Sequence, residues 1–330
     1  MKINAVCSVA ALLFCSVAFC GMYADGTDDP NSIDAGVRGF IDQQLNPVFA
    51  GWASKVIDYS PSDDTTFYGI DGIGVLNNYE FSNPTNALGE VTGSNVDIVS
   101  LGDLNWEPGV TYDSNDLPGT ITLGFDSSIS DGPGPDFAVF ENSFGSNGLI
   151  SAELAFVEVS TNCVNFVRFP NYYYAATESV GILGSIDVTK VYNLAGKHIN
   201  AYSGSYGTPF DLYELSDHQM VTEGLVDLSD INYVRIVDIA GNGYFEDSFG
   251  HLIYDMWETQ GSGGFDLEAV GVINTIYGDA DSDGSVGMSD FIRLSSNWGR
   301  AGGWPQGDFD LDGVVNENDL ILLASGWLVN

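Results

Sequence analysis

Two stretches in the last quarter of the chain carry the same arrangement of oxygen-bearing side chains. Residues 279–298 and 308–327 align without a gap at an offset of 29 residues. Asp279, Asp281 and Asp283 occupy positions 1, 3 and 5 of the first loop, and Asp308, Asp310 and Asp312 those of the second. Gly284 and Gly313 follow at position 6, and Asp290 and Asp319 close each loop at position 12. Calcium is a hard ion that takes about six to eight oxygens at roughly 2.3–2.6 Å, so a loop that binds it must curl around the ion and bend sharply. Carboxylates on alternate residues ahead of a glycine suit that task. Position 7, Ser285 or Val314, would supply a backbone carbonyl. Position 9 is Asn316 in the second copy but Gly287 in the first, which predicts a water in its place there. A single acidic turn arises often in an acidic chain. Two in register, each with its glycine and twelfth-position aspartate, are far harder to obtain by chance.

The elements that must position these loops are legible beside them. Phe291, Leu294 and Trp298 recur at helical spacing after the first loop, and Leu320, Leu323 and Trp327 after the second. Neither stripe can be buried alone, so two helices packing about a pseudo-two-fold axis, stapled by metal, are expected. Over residues 278–328 the pattern resembles the type I dockerins, in which each of two calcium loops is followed by one helix. That resemblance implies calcium-dependent docking onto a cohesin domain of another protein, often in assemblies that degrade polysaccharides. It also implies that positions 10 and 11, here Met288-Ser289 and Glu317-Asn318, help select the partner. These pairs differ between the copies and depart from the small hydroxyl pairs common in cellulosomal dockerins, which leaves the partner and any two-way binding open.

The rest of the chain frames this module. Nine Lys plus Arg face 46 Asp plus Glu among 330 residues, a formal charge of −37. Phosphate contacts need clustered cations, so nucleic acid and anionic membrane surfaces are poor partners. Residues 1–24 read as an export signal: Lys2 precedes an apolar run, Ala5 to Phe19, too short to span a bilayer, with cleavage after Cys20 or Ala24. Val17-Ala18-Phe19-Cys20 resembles a lipoprotein signal, although Phe19 stands where a small residue is expected. No later segment is long and apolar enough to insert in a membrane, so a secreted or surface location is expected. Once the signal is removed at Cys20, Cys163 is the sole cysteine, expected as a buried, inert thiol.

Residues 25–94 read as the N-terminal segment of a β domain, with one short helix expected within 35–57. Residues 95–274 hold short β-type runs: 96–101, 121–125, 137–140, 154–159, 164–169, 233–239 and 265–273. Several are apolar on both faces, as in covered strands. The Tyr-rich stretch 170–230 is expected to form long loops over one face. The expected fold is mainly β, a jelly-roll-like β-sandwich followed by a small α-helical dockerin module with two calcium loops at 278–330. The order of the strands resembles discoidin-like, galactose-binding sandwiches. Residues 131–142 also resemble a segment of secreted bacterial surface proteins. Both resemblances imply a binding module.

In that segment Asp131, Asp136, Glu141 and Asn142 could hold a structural Ca²⁺, or simply cap a turn. A second acidic loop runs from Asp238 to Asp247. Tyr172, Tyr173, Tyr174 and Trp257 could stack on sugar rings, with core packing the more economical reading. His198, His218 and His251 have no metal-ligand spacing and read as surface or loop residues. Three functions stay open: an exported sandwich that binds glycan or a surface component and is tethered by its dockerin, a polysaccharide-active glycoside hydrolase in a docked assembly, and a structural surface protein stiffened by calcium. With 46 acids, carboxylate pairs are guaranteed and carry no argument for catalysis.

Overall fold

The computed structural model describes residues 36–327 apart from 42, 63–80, 105–116, 133, 147–148, 202–204, 258, 260–261, 276–277, 282–284 and 311. Among these residues two antiparallel sheets face one another. The larger has the strand order Val37–Arg38, Tyr206–Phe210, Phe137–Glu141, Asp266–Val272 and Gly51–Trp52, with Val99–Ser100 also paired to Asp266–Val272. The other runs Val167–Arg168, Ala155–Ser160, Ile231–Asp238, Thr120–Ile129 and Lys55–Ser60.

The alternation of side chains along a strand sets the core. Ile121 and Leu123 stand opposite Ile236 and Val234, which stand opposite Val157 and Val159. With a period of two, all six share one face. Phe137, Val139, Val270 and Val272 answer them from the larger sheet in the same buried cluster. Phe137 stacks on Phe210 at 5.3 Å and meets Phe169 edge-on at 5.9 Å between ring centroids.

The outward faces are covered as well, by connecting segments rather than by a further large sheet. Phe156 and Val237 pack against Tyr173, Val191 and Ile253, while Ala138, Phe140 and Ala269 pack against Val37, Phe49 and Val91. This accounts for the strands that read as apolar on both faces.

Three expectations change. The described residues among 35–57 form no helix. Gly39, Pro47 and Gly51 interrupt the stretch, and Gln43, at φ 65°, turns the chain between Phe40–Ile41 and Gln44–Leu45, which pair as a hairpin. Lys55–Ser60 then joins the smaller sheet. The stretch 170–230 does cover one face, but it also contributes Tyr206–Phe210 to the larger sheet. Gly207 and Pro209 hide that strand from a propensity reading. Cys163 is half-exposed rather than buried, in a turn at φ 59°.

Met288–Asn297 and Glu317–Trp327 are helices that pack on each other. No described helix is long and apolar enough to cross a membrane.

Phe137→Ala should cost about 3–5 kcal/mol in denaturant unfolding, because it leaves a cavity between Phe169 and Phe210. Val164→Ala, at a position 79 % exposed, should shift stability by no more than about 0.5 kcal/mol.

Candidate metal centres

The two C-terminal repeats superpose in their contacts as they do in sequence. Gly278 and Gly307, one residue ahead of each loop, have φ of 97° and 94°. A Cβ on Gly278 would stand 2.7 Å from Leu323 Cα, and one on Gly307 would stand 2.7 Å from Leu294 Cα. Each loop therefore begins on the other repeat's helix, the reciprocal contact that a two-fold relation requires. Leu294 and Leu323 are buried there with Ala280, Phe309, Val286, Val315 and Trp304.

Asp290 and Asp319 play one role twice. Asp290 Oδ1 accepts from the amides of Ala280 and Asp281 at 2.8 and 3.2 Å, and its Oδ2 from Gly287 at 2.7 Å. Asp319 Oδ1 accepts from Phe309 and Asp310 at 2.6 and 3.2 Å, and its Oδ2 from Asn316 at 2.7 Å. The twelfth-position carboxylate thus ties the start of its loop to the first turn of the following helix.

In each loop three carboxylates come together. Ligand oxygens of Asp279, Asp281 and Asp290 lie within 4.8 Å of one another, and so do those of Asp308, Asp310 and Asp312. These groups could hold a metal ion. Asp283 lies outside the described residues, and Ser285 is exposed. In the second loop Gly313, at φ 88°, donates its amide to Asp308 Oδ2 at 3.0 Å, making the bend expected at position 6. The Asn316 side-chain amide donates to Asp312 Oδ2 at 3.2 Å and to the Val314 carbonyl at 2.9 Å. Positions 5, 7 and 9 therefore converge. Asn316 presents nitrogen to them, while its Oδ1 accepts from the Asn318 amide at 2.8 Å.

Asp281 Oδ1 and Asp308 Oδ1 are buried without a hydrogen-bond partner, which fits a cation as the missing neighbour. Arg293 Nε, 3.9 Å from Asp281 Oδ2, is too distant to hydrogen-bond. Burial, then repulsion from Asp319, pushes the Asp308 carboxyl up to about 7. A divalent ion would reverse that shift by favouring the charged form.

Met288, Ser289, Glu317 and Asn318 are exposed in the first turns of the two helices. Phe291, Trp298 and Trp327 are exposed in part and do not fill the interior. Trp304, between the repeats, fills it instead and donates its Nε1 to the Asp279 carbonyl at 2.8 Å. The spacing argument missed Trp304 because it lies outside the repeat.

In the large domain Asp131 and Asp136 come together, joined by Asp211 rather than by Glu141 and Asn142, with ligand oxygens within 4.8 Å. Glu141 ends the strand that Asp136 precedes, roughly 16 Å away at the rise of a β-strand. Asp136 accepts from the Gly132 amide and Asn274 Nδ2, both at 2.8 Å, and from the Leu212 amide at 2.6 Å. It thus ties three segments together, as a capping aspartate does. Asp247 caps its own loop, accepting from the amides of Tyr173, Phe249 and His251. Tyr173 is core, Tyr172 stacks on Tyr192 at 5.4 Å, Trp257 is half-buried, and Tyr174 is exposed beside His251. His198 is buried rather than on the surface. His218 caps the short helix Gln219–Thr222.

A further set of acids, of which only Glu141 and Asp238 are named from the sequence and neither with the others, is buried in the large domain. Asp103, Glu141, Glu153, Asp238, Asp255 and Asp266 are all buried. Burial first, and repulsion within the group second, raises Glu141, Glu153 and Asp238 well above the ordinary carboxylate range. Burial also raises Asp255 well above that range and pushes Asp266 up to about 7.

No family model matches the chain, and no curated protein or solved structure shows significant similarity to it.

A raised folded-state pKa means that folding favours the protonated acid, so this contribution is complete below the unfolded value of about 4 and is lost as pH rises through the folded values. With chelator present throughout, the melting temperature should therefore fall as pH rises from 5 toward 8, through the Asp266 value of about 7. Saturating calcium should flatten that slope. A melting temperature that rises with pH under chelator contradicts the assignment.

Proposed function

We propose that residues 278–327 are a calcium-loaded docking module of the dockerin kind. It fastens an exported protein to a cohesin-bearing partner, and the sandwich ahead of it binds glycan or another surface component in extracellular polysaccharide breakdown. The observation that carries this reading is the reciprocal seating of Gly278 on Leu323 and Gly307 on Leu294, with the Asp290 and Asp319 clasps repeated beside it. Such symmetry gives a small module two equivalent helix starts, each beside an oxygen-lined loop. Calcium is favoured over softer metals because every ligand atom in the two carboxylate groups is oxygen.

The outward surface supports docking. Met288 and Ile292 on the first helix and Ile321 on the second are 61, 56 and 66 % exposed. Apolar side chains left outside on so small a module suit a partner's surface. Glu317, Ser289 and Asn318 supply polar contacts beside them. The module also rests on the sandwich: Ala50 packs against its core, and Ser127 Oγ lies 3.3 Å from Asp279 Oδ2. Tyr174, 56 % exposed, offers the large domain one ring for stacking on a sugar.

Full-length protein should capture a cohesin-bearing partner from the secretome of its source cell in calcium and release it in chelator. Asp279→Ala combined with Asp308→Ala should abolish capture, and Met288→Glu should weaken it at least tenfold while leaving calcium binding intact. Capture indifferent to chelator, or no partner at all, overturns the docking reading. Release of reducing ends from a polysaccharide panel overturns the non-catalytic role of the sandwich.

A further inference from the structure

The two C-terminal loops match each other in sequence, but the sandwich meets their carboxylates unequally. Ser127, on the strand Thr120–Ile129, places its Oγ 3.3 Å from Asp279 Oδ2 and 2.7 Å from Thr275 Oγ1. Thr275 Oγ1 in turn lies 2.8 Å from the Ser128 carbonyl. Two hydroxyl protons serve these three contacts. An ionised carboxylate is the strongest acceptor among them, so the Ser127 proton goes to Asp279. Ser127, Thr275 and Asp279 are all buried. The chain enters the first loop along the same strand, where the Ser130 amide donates to the Asn274 carbonyl at 3.1 Å.

Among the described residues, the second loop's carboxylates accept from their own repeat instead. Asp308 Oδ2 accepts from the Gly313 amide, Asp310 Oδ1 from the Asp312 amide at 3.2 Å, and Asp312 Oδ1 from the Val314 amide at 2.8 Å. The repeat register shows where the symmetry breaks. Trp304 and Thr275 occupy equivalent positions, four residues ahead of their loops. Trp304 turns between the repeats and donates to the Asp279 carbonyl, whereas Thr275 meets the sandwich at Ser127 and Ser128. Asp279 is therefore held from both sides, by Trp304 at its carbonyl and by Ser127 at its carboxylate.

Apolar contact does not close this seat. A Cβ on Gly303 would stand 2.6 Å from Pro47 Cβ, and Ala50 packs on the interior of the repeats. A cavity of about 160 Å³ nonetheless remains between Trp52, Phe125, Ser127 and Thr275 of the large domain and Asp281 of the first loop. A single water needs roughly 10–15 Å³, so the seat has room for water beside the loop. Asp126, paired with Lys55 at 3.0 Å, lines the same cavity and adds no positive charge to it. The clustered carboxylates of Asp279, Asp281 and Asp290 repel one another when ionised, and Asp279 carries the polar contact to the sandwich. A cation among them removes that repulsion and fixes Asp279 Oδ2 where Ser127 reaches it.

We propose that Ser127 positions Asp279 as a ligand of the first loop, so that a cation in this loop clamps the C-terminal repeats to the sandwich and a cation in the second loop does not. This rests on the calcium reading of the repeats given above. Hydrogen bonds to metal-binding carboxylates fix their orientation, and losing one typically costs about 10–100-fold in metal affinity. The sandwich thus makes two loops of like sequence unlike in calcium binding.

Calorimetric calcium titration of the full chain tests the assignment. Asp308→Ala with Asp310→Ala leaves only the first loop able to bind, and Asp279→Ala with Asp281→Ala only the second. Ser127→Ala should weaken calcium about tenfold in the first background and leave it unchanged in the second. Ser127→Thr, which keeps the hydroxyl, should retain the affinity. In the intact chain Ser127→Ala should weaken one of two sites, a readout that needs neither background to fold. Exchange of the Ser130 amide should slow with calcium when only the first loop is intact, and ignore calcium when only the second is. Equal weakening by Ser127→Ala in both backgrounds overturns the inference, as does Ser130 protection by calcium in the second loop alone. Two loaded loops indifferent to Ser127→Ala overturn this inference and leave the calcium reading standing. A chain that binds no calcium in either loop overturns both.

Discussion

Carboxylates held close together away from water repel one another unless a positive charge lies between them, and this chain concentrates them. The second C-terminal loop brings three within 4.8 Å and leaves Asp308 Oδ1 without a partner. The first does the same with Asp279, Asp281 and Asp290. At an effective dielectric near 20, two unit charges 4 Å apart repel by about 4 kcal/mol, comparable to a sizeable part of a domain's net stability. The arrangement is tolerable in two states, with protons on the acids or with a cation among them. The second keeps both oxygens of Asp290 and Asp319 as full acceptors for the backbone clasps, where a proton would turn one oxygen of each carboxyl into a donor.

The surrounding structure is organised around that constraint. In the C-terminal repeats the glycines ahead of the loops, the buried leucines and Trp304 provide the apolar interior that fixes where the loops start. In the sandwich the paired sheets bury their shared face around Phe137, Val157 and Ile236, and the strand ends are left to carry Glu141, Asp238 and Asp266. Packing therefore determines where charge collects, and the collected charge makes the acidic groups able to hold a metal ion.

The repeat was the most legible part of the chain because its information is local. The clustered carboxylates and the glycine at position 6 of the second loop fall within single loops, while of the helix stripes Leu294 and Leu323 are buried and Phe291, Trp298 and Trp327 are not. Five of the seven expected β runs were found for a similar reason, since each carries its own alternation or apolar block; 96–101 and 164–169 shrink to the two-residue strands Val99–Ser100 and Val167–Arg168 beside turns. What escaped depended on contacts distant in sequence. Tyr206–Phe210 is a strand because Phe137–Glu141 and Val37–Arg38 flank it, not because of its own residues. Glu141 was grouped with Asp136 by proximity along the chain, yet an extended strand carries neighbours in sequence to opposite ends of a sheet. The acids at the strand ends come from residue 103 to residue 266, a span over which no spacing rule applies. Trp304 lies between the repeats and enters their shared interior only once both are folded.

Amide hydrogen exchange over residues 278–327, compared in calcium and in chelator, addresses the central claim most directly. If cations hold these loops, the amides of Ala280, Gly287, Phe309 and Asn316, which the Asp290 and Asp319 carboxylates accept, should be protected in calcium and exchange at least a hundredfold faster in chelator. Equal protection in both conditions would mean that packing and hydrogen bonds alone keep the loops closed, and the account would be wrong.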